Sequence, residues 1–495
     1  GTFSPEGTFA GCREKLDYLA DLGVTAVELM PVADFPGSRN WGYDGVSLFA
    51  PDSRYGRPED LKALIDAAHA RGIMVFLDVV YNHFGPEGNY LHAYAEPFFR
   101  DRRQTPWGAA LDFDGPASRW VREFFVHNAL YWLEEYHLDG LRLDAVQAIH
   151  DGSPRHLLEE IAQGVRETLG RDRHIHLVLE NDDNAADYLE RTGAGLPRLY
   201  DAQWNDDIHH ALHVALTGEN GGYYADYAEQ PVEQLARCLT EGFAYQGEAS
   251  RHRGGAARGQ PSGHLPAVAF VSFLQNHDQI GNRAFGERIH ALAGPDSVRA
   301  ALATLLLAPA PPLLFMGQEW GATQPFLFFC DLGEDLAGKV IEGRCREFSR
   351  FPEFREPSAR AAIPDPMAAR TFAASVLDWD VLSRPPHDLW LAFHQKLLAI
   401  RQRDIVPRLC DMPAGRAAFE MLGDRAFRAN WPLADGSSLV LLANFHTEQA
   451  VGVPHRPGRV LFDTHAATAI DGEPDRQRLP PWSVLWGIAQ DNPAA

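Results

Sequence analysis

Four short stretches of this 495-residue chain carry carboxylates with Asn, His or Arg close by. "DVVYNH" carries Asp78, Asn82 and His83, and "LRLD" carries Arg142 and Asp144. "LVLE" ends in Glu180, and "LQNHD" carries Asn276, His277 and Asp278. A single Asp at a strand end is commonly a helix cap or an ion-pair partner. Four such ends, with polar companions, point instead to a site that needs several carboxylates at once. Glycoside hydrolysis is such a reaction: one carboxylate attacks the anomeric carbon and a second, protonated, donates to the leaving oxygen. Anions around the site suit its positive transition state, and histidine donors suit sugar hydroxyls. Arg142 lies two residues before Asp144, so on a strand both side chains point the same way. The guanidinium is expected to lower the nucleophile's pKa and keep it ionised. Glu180 closes an apolar run, where burial would raise its pKa, as a general acid requires.

A second cluster lies in "YDAQWNDDIHHALH", residues 200–213. On a helix His209 and His213 share a face, and so do Asp206 and His210, which raises the question of a metal. His210 stands about 100° round the helix from His209, so the three histidines do not converge and no metal is expected. The other reading is that Asn205, Asp206 and Asp207 hydrogen-bond a sugar on the leaving-group side, with Trp204 near. Asp207 as a helix cap is the alternative.

These residues need elements to position them. Strand-like apolar runs alternate with helical patterns for about 320 residues, the mark of a parallel sheet. Strands are expected at 23–32, 73–80, 138–144, 176–180, 199–205, 267–278 and 311–319. Helices are expected at 57–72, 117–137, 154–170, 296–308 and 387–402. In 57–72 Leu61, Leu64, Ile65 and Ala68 keep helical spacing before Gly72. Seven strands of this kind read as a (β/α)8 TIM-type barrel, whose functional groups gather at the C-terminal strand ends. An open doubly wound sheet is the runner-up, disfavoured because the first strand–helix turn lacks GxGxxG. After about residue 400 short strands and turn signals such as Asp435-Gly436 take over. The expected division is a barrel over 1–402, with a short insert at 83–116, and an antiparallel β-sandwich domain over 403–495. The stretch 250–263, "SRHRGGAARGQPSG", reads as a mobile connector.

The formal charge of −22 argues against nucleic acid and anionic membrane as partners. Five scattered cysteines without a CxxC argue against a disulfide framework or structural zinc. The longest apolar run is broken by prolines and no signal peptide is visible, so a cytoplasmic location is expected. The oligomeric state is not legible.

Taken in order and spacing, "DVVYNH", "GLRLDAV", "LVLEND" and "LQNHD" resemble the four short regions of glycoside hydrolase family 13, the α-amylase family. The resemblance implies a retaining double displacement, with Asp144 as nucleophile, Glu180 as general acid/base and Asp278 as the third carboxylate on the sugar at the cleavage site. It implies that Arg142, His83 and His277 line the same subsite, with Asp78 and Asn276 beside them, and that Tyr43 of "NWGYDGV" stacks on that sugar. It implies no cofactor. Calcium, common near Asn82 in this family, is not expected, because the segment after His83 offers no acidic cage. The markers "TPWGAALDFDGP", "DAQWNDDIHHALH" and "GQEWGATQPFLFFCD" resemble the family's trehalose-releasing subgroup. They imply maltooligosyltrehalose as substrate and free trehalose as product. Alternatives are a glucan branching enzyme using the same triad and a non-catalytic α-glucan-binding barrel. Phe328 and Phe329 either wall the trehalose sites or belong to the core, and Trp41 and Trp107 share that ambiguity. Glu319 is expected to brace a loop by a salt bridge. A first barrel strand and an N-terminal β domain, which the resemblance also implies, are missing from the chain as given.

Overall fold

The structure is a computed structural model. It describes the chain except residues 106–107, 172, 350, 454–456, 466–476 and 491–495. Trp107 lies outside the described residues.

Seven parallel strands follow one another in sheet order as they do in sequence. They are β1 (Ala26–Leu29), β2 (Met74–Val79), β3 (Gly140–Leu143), β4 (His176–Leu179), β5 (Ala202–Trp204), β6 (Phe270–Phe273) and β7 (Pro312–Leu313). This is the barrel sheet, with short strands whose C-terminal ends all open on one side. Register is carried by pairs such as Glu28↔Phe76, Asp78↔Arg142 and Arg142↔Val178. No ladder joins β7 to β1 among the described residues, and a cavity of about 1250 Å³ lies against both.

Helices cover the outside: α1 (Leu16–Leu22), α2 (Pro58–His69), α3 (Ser118–Glu135), α4 (Leu157–Thr168), α5 (Asp206–Thr217), α6 (Pro231–Glu241), α7 (Pro295–Leu306) and α8 (His387–Ile400). Helix α2 starts on Pro58, whose fixed φ suits a first turn, and buries Leu61, Leu64, Ile65 and Ala68 against the sheet. Each buried leucine or isoleucine contributes about 1.5–3 kcal/mol.

Two expected strands are shorter than their apolar runs. Within 267–278 only Phe270–Phe273 pairs, because Asn276 caps a short helix, His277–Gly281, in a reciprocal capping box with Gln279. Within 311–319 only Pro312–Leu313 pairs, and Gln318–Trp320 forms a 3-10 turn.

Beyond α8 the chain enters a five-stranded antiparallel sheet of β8 (Ala418–Met421), β9 (Ala426–Pro432), β10 (Ser437–Asn444), β11 (Arg459–Asp463) and β12 (Ser483–Gln490), in the order β8-β9-β10-β12-β11. A two-stranded ladder, Ala450–Val453 with Gln477–Leu479, accompanies it. Trp486 of β12 buries its ring and donates its Nε1–H to the Ala303 carbonyl of α7 at 2.9 Å, fastening this sheet to the barrel's helical shell.

The segment 250–263 is not a free connector. Glu248–Ala249 pairs with Ala257–Arg258, and Ser250, Arg258 and Ser262 are buried. Arg253 reaches Asp182 and Asp183 at 2.6 and 2.7 Å. Its arginines therefore answer acidic groups of the barrel instead of solvating a linker.

Candidate active site

The site is built around Arg142, whose side chain is fully buried on β3. An isolated guanidinium there would be very costly, so it must be paired. Its Nη1 donates to Asp78 Oδ2 at 2.6 Å and to Asp144 Oδ1 at 3.0 Å. Its Nη2 lies 2.7 Å from Glu180 Oε2 as an ion pair without hydrogen-bond alignment. Its Cζ sits 4.1 Å from the Trp204 ring centroid. One cation thus collects carboxylates from β2, the end of β3 and the end of β4.

Backbone geometry fixes the rest. Ala145, directly after Asp144, takes the left-handed conformation at φ 39°, unfavourable for a residue with a Cβ. That turn aims the Ala145 N–H at Glu180 Oε2, 2.7 Å away. Asn82 donates to the Asp144 carboxylate at 3.0 Å and to its carbonyl at 2.9 Å. Asp144 and Glu180 are held side by side by the two Nη atoms of Arg142, at 3.0 and 2.7 Å. Asp278, on the capped helix after β6, lies 3.3 Å from His277 Nε2. Tyr43 hydroxyl donates to Asp78 at 2.6 Å and lies 2.8 Å from His277 Nε2, with the two rings stacked at 5.2 Å. His83 Nε2 meets the Tyr43 carbonyl at 3.0 Å. Asn276 accepts the Asp278 and Gln279 amides through Oδ1 as a helix cap, while its buried Nδ2 meets no hydrogen-bond acceptor among the described residues.

Burial dominates the electrostatics. It pushes Asp144 up to about 6, against the downward pull of Arg142. Arg142 does lower this carboxyl, as expected, but desolvation outweighs the pull, so the group stands above its ordinary value and still below neutral pH. Glu180 is also pushed up to about 6, by burial first and by Asp144. Asp278 reaches about 7, by burial and then the Glu180 charge. Burial lowers His83 to about 4 and holds His277 well below its usual range, so both are neutral donors or acceptors.

The second cluster divides. Asp206 faces Glu180 and Asp278 closely enough to be held well above the carboxylate range, with burial the larger cause, and its Oδ1 accepts from Gln279 at 3.3 Å. Asp207 is withdrawn from the cleft. Its carboxylate accepts from Asn184, Tyr227 and the Ala244 and Tyr245 amides at 3.0, 2.5, 2.8 and 3.0 Å, and pairs with Arg258 at 3.0 Å. Asn205 is fully buried and donates to the Gly242 carbonyl at 2.7 Å. Trp204 is buried beneath Arg142. These three hold the wall and present nothing to a ligand, because their polar groups are already occupied or enclosed. The histidines of α5 do not converge: His209 bonds the Leu274 carbonyl and the Tyr224 hydroxyl, and His213 pairs with Glu219.

The aromatic candidates divide too. Phe329 packs in the core against Phe326 and Phe372. Phe328 is half-buried and meets Trp41 edge-on at 5.2 Å. Trp41 is buried, stacks on Phe326 and props the His277 ring. Glu319 braces α1 through the Tyr18 hydroxyl at 3.1 Å, a hydrogen bond in place of the expected salt bridge. One site group escaped the sequence reading. Glu28 of β1 is pushed to about 8 by burial and then by Asp78, with Arg142 opposing. Its signal was a lone acid in the apolar run "AVELM".

Residues 1–107 match the family model "Alpha amylase, catalytic domain", and 414–486 match a "Domain of unknown function". The malto-oligosyltrehalose trehalohydrolase of Arthrobacter ramosus is 42% identical over 464 residues, which are 93% of this chain and 77% of that one. The chain belongs to the malto-oligosyltrehalose trehalohydrolases. A second trehalohydrolase, from Deinococcus radiodurans, is 46% identical over 412 residues, 82% of this chain and 65% of that one, so the match spans just under two thirds of that relative. Among crystal structures, that of an alpha-amylase candidate from Salmonella typhimurium aligns with a TM-score of 0.92 at 46% identity, over 99% of this chain and 80% of the other. The trehalohydrolase markers at 200–213 therefore belong mainly to a supporting wall, with Asp206 alone turned toward the carboxylates.

Proposed function

We propose that the chain is a retaining glycoside hydrolase that cuts the α-1,4 bond next to the terminal trehalose of a maltooligosyltrehalose, releasing trehalose and a maltooligosaccharide. The observation that carries it is the Arg142-centred set of carboxylates in a trehalohydrolase chain. Asp144 and Glu180 sit on the two Nη atoms of one guanidinium, which supports the retaining course that the resemblance to the α-amylase family implies.

Asp144, ionised and steered by Arg142 and Asn82, attacks the anomeric carbon of the sugar preceding trehalose. Glu180, held protonated by burial, donates its proton to the departing trehalose oxygen. The resulting glucosyl–Asp144 ester is hydrolysed by water that the now ionised Glu180 deprotonates. Asp278, His83, His277 and Tyr43 surround the same sugar, and Asp206 faces the leaving group. The reaction lies in residues 1–402, with the cytoplasm as its place. No helix among the described residues is long and apolar enough to cross a membrane.

Chromatography of maltotriosyltrehalose digests tests this reading. Trehalose and maltotriose should be the first products, and plain maltopentaose should be cut far more slowly. New α-1,6 branches on amylose, or equal attack on both substrates, would overturn it.

A further inference from the structure

At the end of the sheet opposite the carboxylates, "RHIH" places His174 two residues before His176 at the start of β4. Asp201 stands just before the neighbouring strand β5. Among the described residues these three bring their ligand atoms within 4.8 Å of one another. His174 Nε2 lies 2.8 Å from Asp201 Oδ1, and the two imidazoles stand 4.5 Å apart.

The surroundings orient the set. Asp201 Oδ2 accepts from the Leu177 amide at 2.8 Å and from Arg166 Nη2 at 2.6 Å, which leaves Oδ1 facing the histidines. The His176 ring stacks on Phe76 at 5.4 Å, and among the described residues no hydrogen bond reaches its nitrogens. His174 is half-exposed, so an ion has a way in. Glu180 lies beyond the far end of β4, roughly 13 Å along the strand, so this set is remote from the bond-cleaving groups.

We propose that His174, His176 and Asp201 bind one transition-metal ion of the Zn²⁺, Ni²⁺ and Cu²⁺ class, which fastens β4 to the start of β5. Two imidazoles and one carboxylate oxygen are the donor set such ions favour, whereas Ca²⁺ and Mg²⁺ want oxygen. The ion replaces the proton between His174 Nε2 and Asp201 Oδ1, and side-chain rotation closes the ligands to about 3.4 Å spacing, as tetrahedral bonds of about 2.0–2.1 Å require. Arg166 stays on Oδ2 and fixes the carboxylate, as a partner behind a metal ligand does. At this end of a barrel the expected role is stability.

Equilibrium dialysis of the whole chain against Zn²⁺, with metal analysis, tests the site. One ion per chain is expected, with affinity at least about tenfold weaker in both His174→Gln and His176→Gln. The Cu²⁺ form should show two nitrogen ligands by electron paramagnetic resonance. Zn²⁺ should raise the melting midpoint of the unsubstituted chain and not of the variants. Because His174 is half-exposed, its variant keeps the test open if His176→Gln fails to fold. Absence of a bound ion, binding unchanged in either variant, or a Cu²⁺ spectrum with fewer than two nitrogens would overturn the proposal.

Discussion

At the residue scale the active form carries one proton on the pair: Asp144 ionised and Glu180 protonated. Both carboxyls are raised to about 6, so the form is lost on either side of that range. Below it Asp144 takes up a proton and can no longer attack. Above it Glu180 loses the proton the leaving oxygen needs. A bell-shaped pH dependence of kcat/KM is therefore expected, and the two limbs belong to the pair together. Glu180→Gln should slow trehalose release by about 10²–10⁴-fold and abolish the alkaline limb. An α-maltosyl fluoride, whose leaving group needs no proton, should still be turned over to the enzyme-bound intermediate by that variant. The first-turnover bursts of fluoride and of trehalose release across pH check this, and equal losses of both bursts would contradict the acid assignment.

At the element scale the 200–213 segment supports the site through α5 and the 250–263 hairpin. Asp207 ties α5 to Tyr227, to the amides of Ala244 and Tyr245, and to Arg258. Removing that carboxylate leaves Arg258, itself buried, without its inner partner. Asp207→Ala should cost about 3–5 kcal/mol of folding stability in denaturant titration. Asp206→Ala removes a carboxylate held in its disfavoured charged environment, so it should leave stability unchanged or improved while weakening selectivity for the trehalose end. If Asp206→Ala kept that selectivity, the segment would act only as scaffold.

At the scale of the whole molecule, the clustered carboxylates set stability against function. Asp278 has an ordinary unfolded pKa of about 3.9 and a folded value of about 7. The folded chain binds the extra proton between those values, so stability falls as pH rises through that window. Asp278→Asn should remove that part of the fall. Its melting midpoint should exceed the unsubstituted chain's at pH 8, with the difference shrinking toward pH 4. A third of the side chain is exposed, which softens the effect. A midpoint difference that did not change with pH would contradict the linkage.

The barrel was legible because period and order are local properties: Leu61 to Ala68 declares a helix, and "FLDVV" declares a buried strand. The carboxylates were legible because strand ends in such a sheet converge. What stayed hidden depends on distant partners. Asp206 and Asp207 are adjacent and identical, yet one meets Gln279 near Asp278 and the other meets Arg258, 51 positions along the chain. The arginines of 250–263 looked solvated because Asp182 and Asp183, their partners, lie some 70 residues earlier. Glu28 drew no reading because the charges that meet it, Asp78 and Arg142, come far later in the chain.

Time-resolved proton NMR of maltotriosyltrehalose hydrolysis reads the cleaved bond and its stereochemistry in one trace. The α,α-trehalose anomeric signal should rise together with the α-anomer of maltotriose, and the β-anomer should follow only by mutarotation. The β-anomer appearing first, or glucose and maltose rising in place of trehalose, would contradict a retaining cut beside the terminal trehalose.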